Sequence, residues 1–348
     1  MNPPDNPHAI VSIDGDMYDS WVNQALFQQV TVELTTNMAS QALIRFFDPD
    51  FKIIDKYAEA DGVPFAPVDV WMGFGQDLGP KLYTGLLTRT ERRDTDTTFI
   101  AYDKSHWMKN KLGRNNDFHY GLNDIQIIQK LAVRNGLQFE GPDSPVSLPP
   151  HDCMIQDHKH DWKHAKERAR EAGLILYVRG DTLFAKEPAK VGAPLINLIY
   201  RNDLNNAPRM FHHFDCSFKL PENHQGRHKV VHQLYRERGG KRGTGESSQH
   251  RRGHTIEENK HGPSIHQKSY ASRKASASKE LQREHAFVIN ARSVPTLPIV
   301  RPDVRDTIAV LNIGKLFSGS YLVDKISHDL TATGFVTDYS LYRDTNAG

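Results

Sequence analysis

The chain has 348 residues, a formal net charge of +2, 25% charged residues and 38% hydrophobic ones. That balance fits a soluble globular protein too long for one ordinary core, so two or three domains are expected. The near-neutral charge excludes a polycation that coats nucleic acid along its whole length. No apolar run approaches the roughly 20 residues of a membrane span, so membrane insertion is not expected.

The N-terminus opens Met1-Asn2-Pro3-Pro4, without a basic segment and an apolar segment in succession, so a cytosolic product, or one that leaves by cell lysis or a dedicated machine, is expected. The first hundred residues read as β. His8–Ile13 runs into Asp14-Gly15, the chemistry of a tight hairpin turn. Val30, Val32 and Leu34 alternate with polar residues at the period of a half-buried strand. Ala42–Phe47 stops at Asp48-Pro49, and Val68–Met72, Lys81–Arg92 and Thr98–Tyr102 supply further strands, with Asp94-Thr95-Asp96 as a turn. The short strands and polar turns point to a small barrel or sandwich over 1–105.

After Ser105 the period changes. Asn123 is placed to cap a helix carrying Ile125, Ile128, Leu131 and Ala132, stopped by Gly136. Asp161 is placed to cap a second, with Trp162, Ala165, Ala169 and Ala172 on one side and Gly173 as its end. A hairpin follows: Leu174–Val178, the turn Arg179-Gly180-Asp181, and Thr182–Lys186. Residues 106–195 thus read as a small α+β module. Strand-like sequence resumes at Ile196–Tyr200 and Met210–Leu220. The segment 222–285 holds fourteen Lys/Arg against seven Asp/Glu, with eight of the eighteen histidines, and is rich in Gly and Ser; it reads as a mobile basic loop with a short polar helix at Ser276–Glu284. Phe287, Ile289, Thr307–Ile313, Tyr321–Ile326 and Phe335–Tyr342 complete a second β region over 196–348.

Two pentapeptides echo each other across the chain: Lys81-Leu82-Tyr83-Thr84-Gly85 and Lys315-Leu316-Phe317-Ser318-Gly319. Each follows an apolar run and precedes a strand-like stretch, which predicts two related β-units with Gly85 and Gly319 in equivalent places. The glycines permit tight strand geometry, Tyr321, Val323 and Ile326 are expected inside the second unit, and Trp162 is expected to anchor the middle module.

Chemistry is sparse. His158, His160 and His164 lie close together, and His160 and His164 stand at i, i+4 on a helix start, a spacing that chelates zinc. With His151, Cys153 and Asp157 nearby they define the one metal-dependent hydrolase alternative, but Asp161 stands where a zinc protease would carry Glu. His213 and Asp215 share a face beside Cys216, without a motif that specifies a nucleophile. There is no GxSxG, Walker A loop or GxGxxG in a strand-to-helix setting. In the basic segment Arg236, Arg238, Lys241, Arg242, Arg251 and Arg252 are candidates for contact with an acidic partner or, as a further alternative, a nucleic-acid backbone; with few aromatics among them, base stacking is not expected.

Two segments carry a family resemblance. The first runs Asp161-Trp162, Ala165, Arg168-Ala169-Arg170-Glu171-Ala172-Gly173-Leu174, then Tyr177-Val178 and Gly180-Asp181-Thr182-Leu183. The second runs Ser318-Gly319-Ser320-Tyr321-Leu322-Val323, reaches His328, and ends with Thr333-Gly334-Phe335-Val336-Thr337. In order and spacing they resemble the baseplate hub proteins of contractile tails, the late control D family, with relatives in phage-tail-like injection particles and the N-terminal part of VgrG. The resemblance implies two barrel-like tube domains flanking the middle module in a mostly β, α+β chain. It implies a homotrimer whose six tube domains adapt a trimeric spike to a hexameric tail tube, around a central passage for DNA or cargo. Implied partners are the tail tube protein, a separate spike protein and other inner baseplate proteins, with assembly in the bacterial cytoplasm. No enzymatic activity, cofactor or metal is implied. Gly85, Trp162, Gly173, Gly319, Tyr321, Val323, His328 and Gly334 are the structural positions it marks.

Overall fold

The computed structural model describes residues 7–24, 26–36, 38–58, 66–75, 78–110, 117–144, 148, 150–200, 211–218, 228–234, 243–248, 256–260, 287–293, 302–331 and 334–343. The architecture is mostly β, with a small α+β module between two β regions.

The first β region comprises β1 (Pro7–Ile13), β2 (Asp16–Asp19), β3 (Phe27–Thr35), β4 (Gln41–Phe47), β5 (Pro67–Phe74), β6 (Tyr83–Arg93) and β7 (Asp96–Tyr102), with a short helix α1 (Lys52–Ala58) between β4 and β5. The β1–β2 turn has Asp14 at φ 52° and Gly15 at φ 86°, the left-handed pair that a two-residue hairpin matching strand twist requires. The sequence pattern did not reveal α1: at seven residues it is too short to show a period. The Asp48 carboxylate builds it, accepting from the amides of Ile53 (3.1 Å) and Ile54 (3.0 Å), while Ile53 and Tyr57, four apart, face the core.

The second β region comprises β13 (Ile196–Ile199), β14 (Phe211–Phe218), β18 (Phe287–Ser293), β19 (Thr307–Leu311), β20 (Gly319–Thr331) and β21 (Gly334–Arg343). The basic segment expected to be a loop contains three strands, β15 (His228–Leu234), β16 (Gly243–Ser248) and β17 (Ile256–Lys260), paired as a separate sheet in the order β16-β15-β17. Gly and Ser density hid them; Val230 and Val231 were the apolar signal available. The helix expected at Ser276–Glu284 lies outside the described residues.

The two β regions follow one plan. In the first, neighbouring strands run β3-β4-β7-β6-β5; in the second, β14-β18-β21-β20-β19. Corresponding strands occur in the same chain order, with β1 against β5 and β13 against β19 at the far side. That outermost pair differs in sense, antiparallel in one and parallel in the other. A bulge marks the same point in each long strand. The β6–β7 register breaks between Leu87 and Arg89, and the β20–β21 register between Val323 and Lys325. Thr88 therefore corresponds to Asp324. The segment carrying β15–β17 fills the place of the five-residue turn between β3 and β4.

The two regions are not separate sheets. Strand β20 pairs with β19 through its first half and with β3 through its second half, which makes one 13-stranded sheet over a shared apolar core. Val30, Val32, Ile44, Phe46, Phe99, Ile289, Tyr321, Ile326 and Leu341 belong to it.

The middle module has its own core. It contains α2 (Ser105–Asn110), β8 (Asp117–His119), α3 (Asp124–Arg134), β9 (Gln138–Glu140), β10 (Met154–Gln156), α4 (Asp161–Ala172), β11 (Ile175–Arg179) and β12 (Thr182–Lys186). Ile127, Ile128 and Leu131 of α3 meet Trp162, Ala165 and Ala169 of α4, and Leu183 lies beneath. Asn123 and Gln126 form a reciprocal capping box at 2.9 Å on both bonds, and Gly173 ends α4 at φ 77°. Asp161 is not the cap expected of it. His160 holds the cap position, and Asp161 is the first helical residue, 1% exposed, because an arginine from α3 captures its carboxylate.

Candidate functional site

The features that carry consequence are the seam between the β regions, the clamp that holds the module to them, and the ionic interior of the module itself.

At the seam, β3 and β20 run antiparallel from Lys325 opposite Thr35 to Thr331 opposite Gln29. The core side stacks Leu34, Val32 and Val30 on Ile326, His328 and Leu330. The other side is polar: Lys325 meets Glu33 at 2.8 Å, and Asp329 accepts from Thr31 at 2.7 Å and Gln29 at 2.8 Å. His328 is 5% exposed and its Nδ1 lies 2.9 Å from the Thr337 hydroxyl, tying β20 to β21. Gly334 opens β21 with φ 149°. Val323 and Ile326 are buried.

The two echo glycines do not occupy equivalent places. Counted from the matched bulge, Gly85 corresponds to Tyr321 and Gly319 to Tyr83, so the echo stands two residues out of register. Each strand carries one Tyr and one Gly two apart on one face, in opposite order. A Cβ on Gly85 would sit 2.6 Å from the Tyr102 carbonyl and collide with the Tyr83 ring. On Gly319, at φ 147°, it would meet the Arg343 guanidinium. Arg343 in turn lies over the Tyr321 ring at 4.7 Å and the Phe287 ring at 4.4 Å. The Tyr321 hydroxyl donates to the Phe317 carbonyl, and burial pushes it up to about 12. Side-chain volume at this point is supplied from one end of the strand in one unit and from the other end in its counterpart.

The β11–β12 hairpin clamps the module onto both β regions. Arg179 grips Asp303 through Nε at 3.2 Å and Nη2 at 3.0 Å, and donates from Nη1 to the Ser40 hydroxyl at 2.9 Å. Lys104 reaches Asp181 at 2.7 Å, and Arg305 donates to the Tyr177 hydroxyl at 3.0 Å. Sequence reasoning saw Arg179-Gly180-Asp181 only as a turn; the charged pair flanking the glycine was the signal that it does more. Planar, bidentate Arg–carboxylate geometry fixes direction as well as distance.

Inside the module the antiparallel helices α3 and α4 brace each other. Arg134, at the end of α3, holds Asp161 at the start of α4 (Nε to Oδ2 3.0 Å) and also pairs with Asp117. Arg168 of α4 holds Asp124 at the start of α3 at 3.2 Å. Both aspartates lie in a first helical turn, where the helix dipole favours negative charge. Asn135 and Gln156 complete the shell of Asp161 at 2.7 and 2.8 Å.

The histidines fall into this network. His151 contacts Asp124 at 2.8 Å, and His158 is exposed at φ 44°. His164 is 1% exposed and stacks on His119 with ring centroids 5.5 Å apart. Among the described residues neither His164 nitrogen has a hydrogen-bond partner. Burial, with Arg168 close by, brings His164 down to about 4; burial and Lys130 lower His119. Among the described residues no group of three His, Cys, Asp or Glu side chains is arranged to hold a metal ion. His213 and Asp215 do meet, at 3.6 Å, but on the exposed face of β14; Cys216 is on the opposite face against the core, where burial raises its thiol. The basic candidates Arg236, Arg238, Lys241, Arg242, Arg251 and Arg252 lie outside the residues whose side chains are described. Among the described residues no helix is long and apolar enough to cross a membrane.

The same fold occurs in proteins of phage tails and related machines. The tail protein from Neisseria meningitidis MC58 matches with a TM-score of 0.68 at 10% identity, over 98% of each chain. The 43 kDa tail protein of prophage MuSo2 from Shewanella oneidensis matches at 0.66 and 12%, over 97% of this chain and 98% of that one. The E. coli c3393 protein, a component of the type VI secretion system with structural similarity to T4 bacteriophage tail proteins gp27 and gp5, matches at 0.60 and 9%, over 97% of this chain and 77% of that one. Identities this low establish the fold. No curated protein sequence matches. Residues 6–210, more than half of the chain, match the family model of the Alg8 N-terminal domain, and the protein belongs to that family.

Proposed function

We propose that this protein is a structural hub of a contractile-tail or injection-particle baseplate, of the late control D kind, and that it acts as a homotrimer. The observation that carries the reading is the pair of matching strand orders joined at β3–β20. Three copies of a chain with two like units present six, the number needed to meet a six-fold tube on one side while keeping three-fold symmetry for a spike on the other. The fold likeness to tail proteins supports the same reading. The work is mechanical coupling rather than catalysis: the seam makes the two units one rigid sheet, and the Arg179 clamp fixes the module to both. Partners are the tail tube protein, a spike protein and inner baseplate proteins, with DNA or cargo passing through the ring. The basic segment 222–285 supplies a salt-sensitive contact to an acidic neighbour. Light-scattering mass of the purified chain, alone and mixed with tube and spike proteins, tests this. A particle of about three chains of 39.5 kDa each is expected. A strict monomer that joins neither partner overturns the reading.

A further inference from the structure

A cleft of about 420 Å³ opens where the seam ends, at the pairs Thr331–Gln29 and Leu330–Val30. That is within the size range of small-ligand sites. Its lining comes mainly from the β2–β3 loop, the start of β3 and the end of β20, and none of the lining residues is charged. One wall is Trp21. Its ring stacks on His8 with centroids 4.1 Å apart and planes 12° apart, and its Nε1 donates to the Pro7 carbonyl at 3.1 Å. His8 is itself fixed between the Gly75 carbonyl at 3.1 Å and Asp19 at 3.0 Å, so the indole is held in place before a ligand arrives. Phe27 and Leu330 supply further apolar surface. A bulge in the β3–β4 ladder between Phe27 and Gln29 brings two consecutive side chains, Gln28 and Gln29, to the same cleft; in a regular strand they would point to opposite faces.

The hydrogen-bonding capacity of these two glutamines is one-sided. The Gln29 amide nitrogen donates to Asp329 at 2.8 Å and to the Thr31 hydroxyl at 3.2 Å, which uses both of its hydrogens. The Gln28 amide nitrogen donates to Asp96 at 2.8 Å. Anchored by their nitrogens, both side chains keep Oε1 as an acceptor, and among the described residues neither oxygen has a partner. The Trp21 Nε1–H is spent on Pro7. Ser20 accepts from the Ala9 amide at 2.9 Å and keeps its hydroxyl hydrogen to give. A ligand that fits is neutral, brings donors at its edge and sets an apolar face against the indole. A phosphate or an acidic segment finds no cation in the lining. A proline-rich segment brings carbonyls but no N–H donors. A sugar ring meets each condition, with a C–H face and hydroxyls that both donate and accept. We propose that the cleft binds a neutral saccharide. One ring lies against the face of Trp21 turned away from His8, its hydroxyls donating to Oε1 of Gln28 and Gln29 and accepting from Ser20. The site lies within a single copy, so it stands or falls apart from the assembly reading above.

The test titrates the full chain with the neutral trisaccharides chitotriose, cellotriose and maltotriose, and separately with a decaproline peptide, read by saturation-transfer NMR and calorimetry. Saturable binding of at least one trisaccharide is expected, with saturation strongest on the C–H protons of one ring. Trp21→Ala is expected to weaken it about tenfold. Gln28→Met, which removes one acceptor and keeps the side chain's length, is expected to weaken it by about three- to tenfold. Trp21 also supports His8, so Gln28→Met carries the test if Trp21→Ala does not fold. Preference for chitotriose assigns the site to acetamido sugars, and preference for cellotriose or maltotriose to plain hexoses; either upholds the proposal. No saturable binding of any of the trisaccharides overturns it, as does binding that both variants leave unchanged. Decaproline bound in place of the sugars, with the same dependence on Trp21, also overturns it and makes the cleft a peptide site.

Discussion

The β sheet and the middle module of this chain are held together by different physics. The sheet joins its two halves through a ladder backed by large apolar side chains such as Phe46, Phe99 and Tyr321. The module has a smaller core and relies on ions taken out of water: Asp161 and Asp124, each 1% exposed at the side chain, are neutralised by an arginine from the opposite helix. Apolar burial is additive and insensitive to pH. A buried ion pair is conditional, because removing one partner leaves a charge that has nowhere to go. The sheet is therefore the durable part of the molecule and the module the part that solution conditions can reach.

The largest break in that contrast comes from Arg134→Ala. It strands the Asp161 carboxylate and is expected to destabilise the module by about 3–5 kcal/mol. Hydrogen exchange should rise in α3 and α4 while protection across β3–β20 is unchanged; equal loss in both regions would show that the two are one cooperative unit.

Acid comes next. The folded pKa of His164 lies near 4 against 6.5 for the free side chain, because burial disfavours the charged ring. The folded state then binds fewer protons than the unfolded one, so this contribution is fully present above about pH 6.5 and is lost as pH falls toward 4, on the order of 3 kcal/mol at the limit. His119 shifts in the same direction. Asp103, on the last turn out of the sheet, shifts upward through burial and acts oppositely. Exchange protection in α4 should fall between pH 6.5 and 4, and His164→Phe should flatten that fall. A profile unchanged by the substitution would exclude the buried imidazole as its source.

The smallest effect probes the repeat within the sheet. Gly85→Ala must displace the Tyr102 carbonyl or the Tyr83 ring and is expected to cost about 1–3 kcal/mol, read as a lower urea midpoint with unchanged slope. Tyr83→Ala in the same chain removes one of the two obstacles, so the Gly85→Ala penalty should shrink in that background.

Local chemistry was legible in the sequence and distant pairing was not. Asp14-Gly15, Asn123, and Gly173 followed by a hairpin act within a few residues, and each was visible as a turn, a cap or a stop. Asp161 looked like a cap because the residue type fits; its displacement by His160 depends on Arg134, which only the folded helix pair brings near. The echo pointed to a real repeat through a false register. A five-residue match is scored by letters, whereas the correspondence is set by a bulge whose residues, Thr88 and Asp324, share no chemistry. The helices α1 and α2 were too short for periodicity, and the seam between β3 and β20 leaves no mark in either strand that names the other.

That seam also sets a timetable. Thr31 and Asp329 are 298 residues apart. At a synthesis rate of about 5–20 residues per second, the ribosome leaves β3 with one side unpaired for on the order of 15–60 s after it emerges. The core of the module joins nearer partners, α3 with α4 and β11 with β12, and can form well before the sheet closes. During that interval the bare edge of β3 is open to the wrong strand, including β6, the counterpart in the repeat of its proper partner β20. Fidelity in making this molecule depends on keeping that edge unoccupied until β20 arrives.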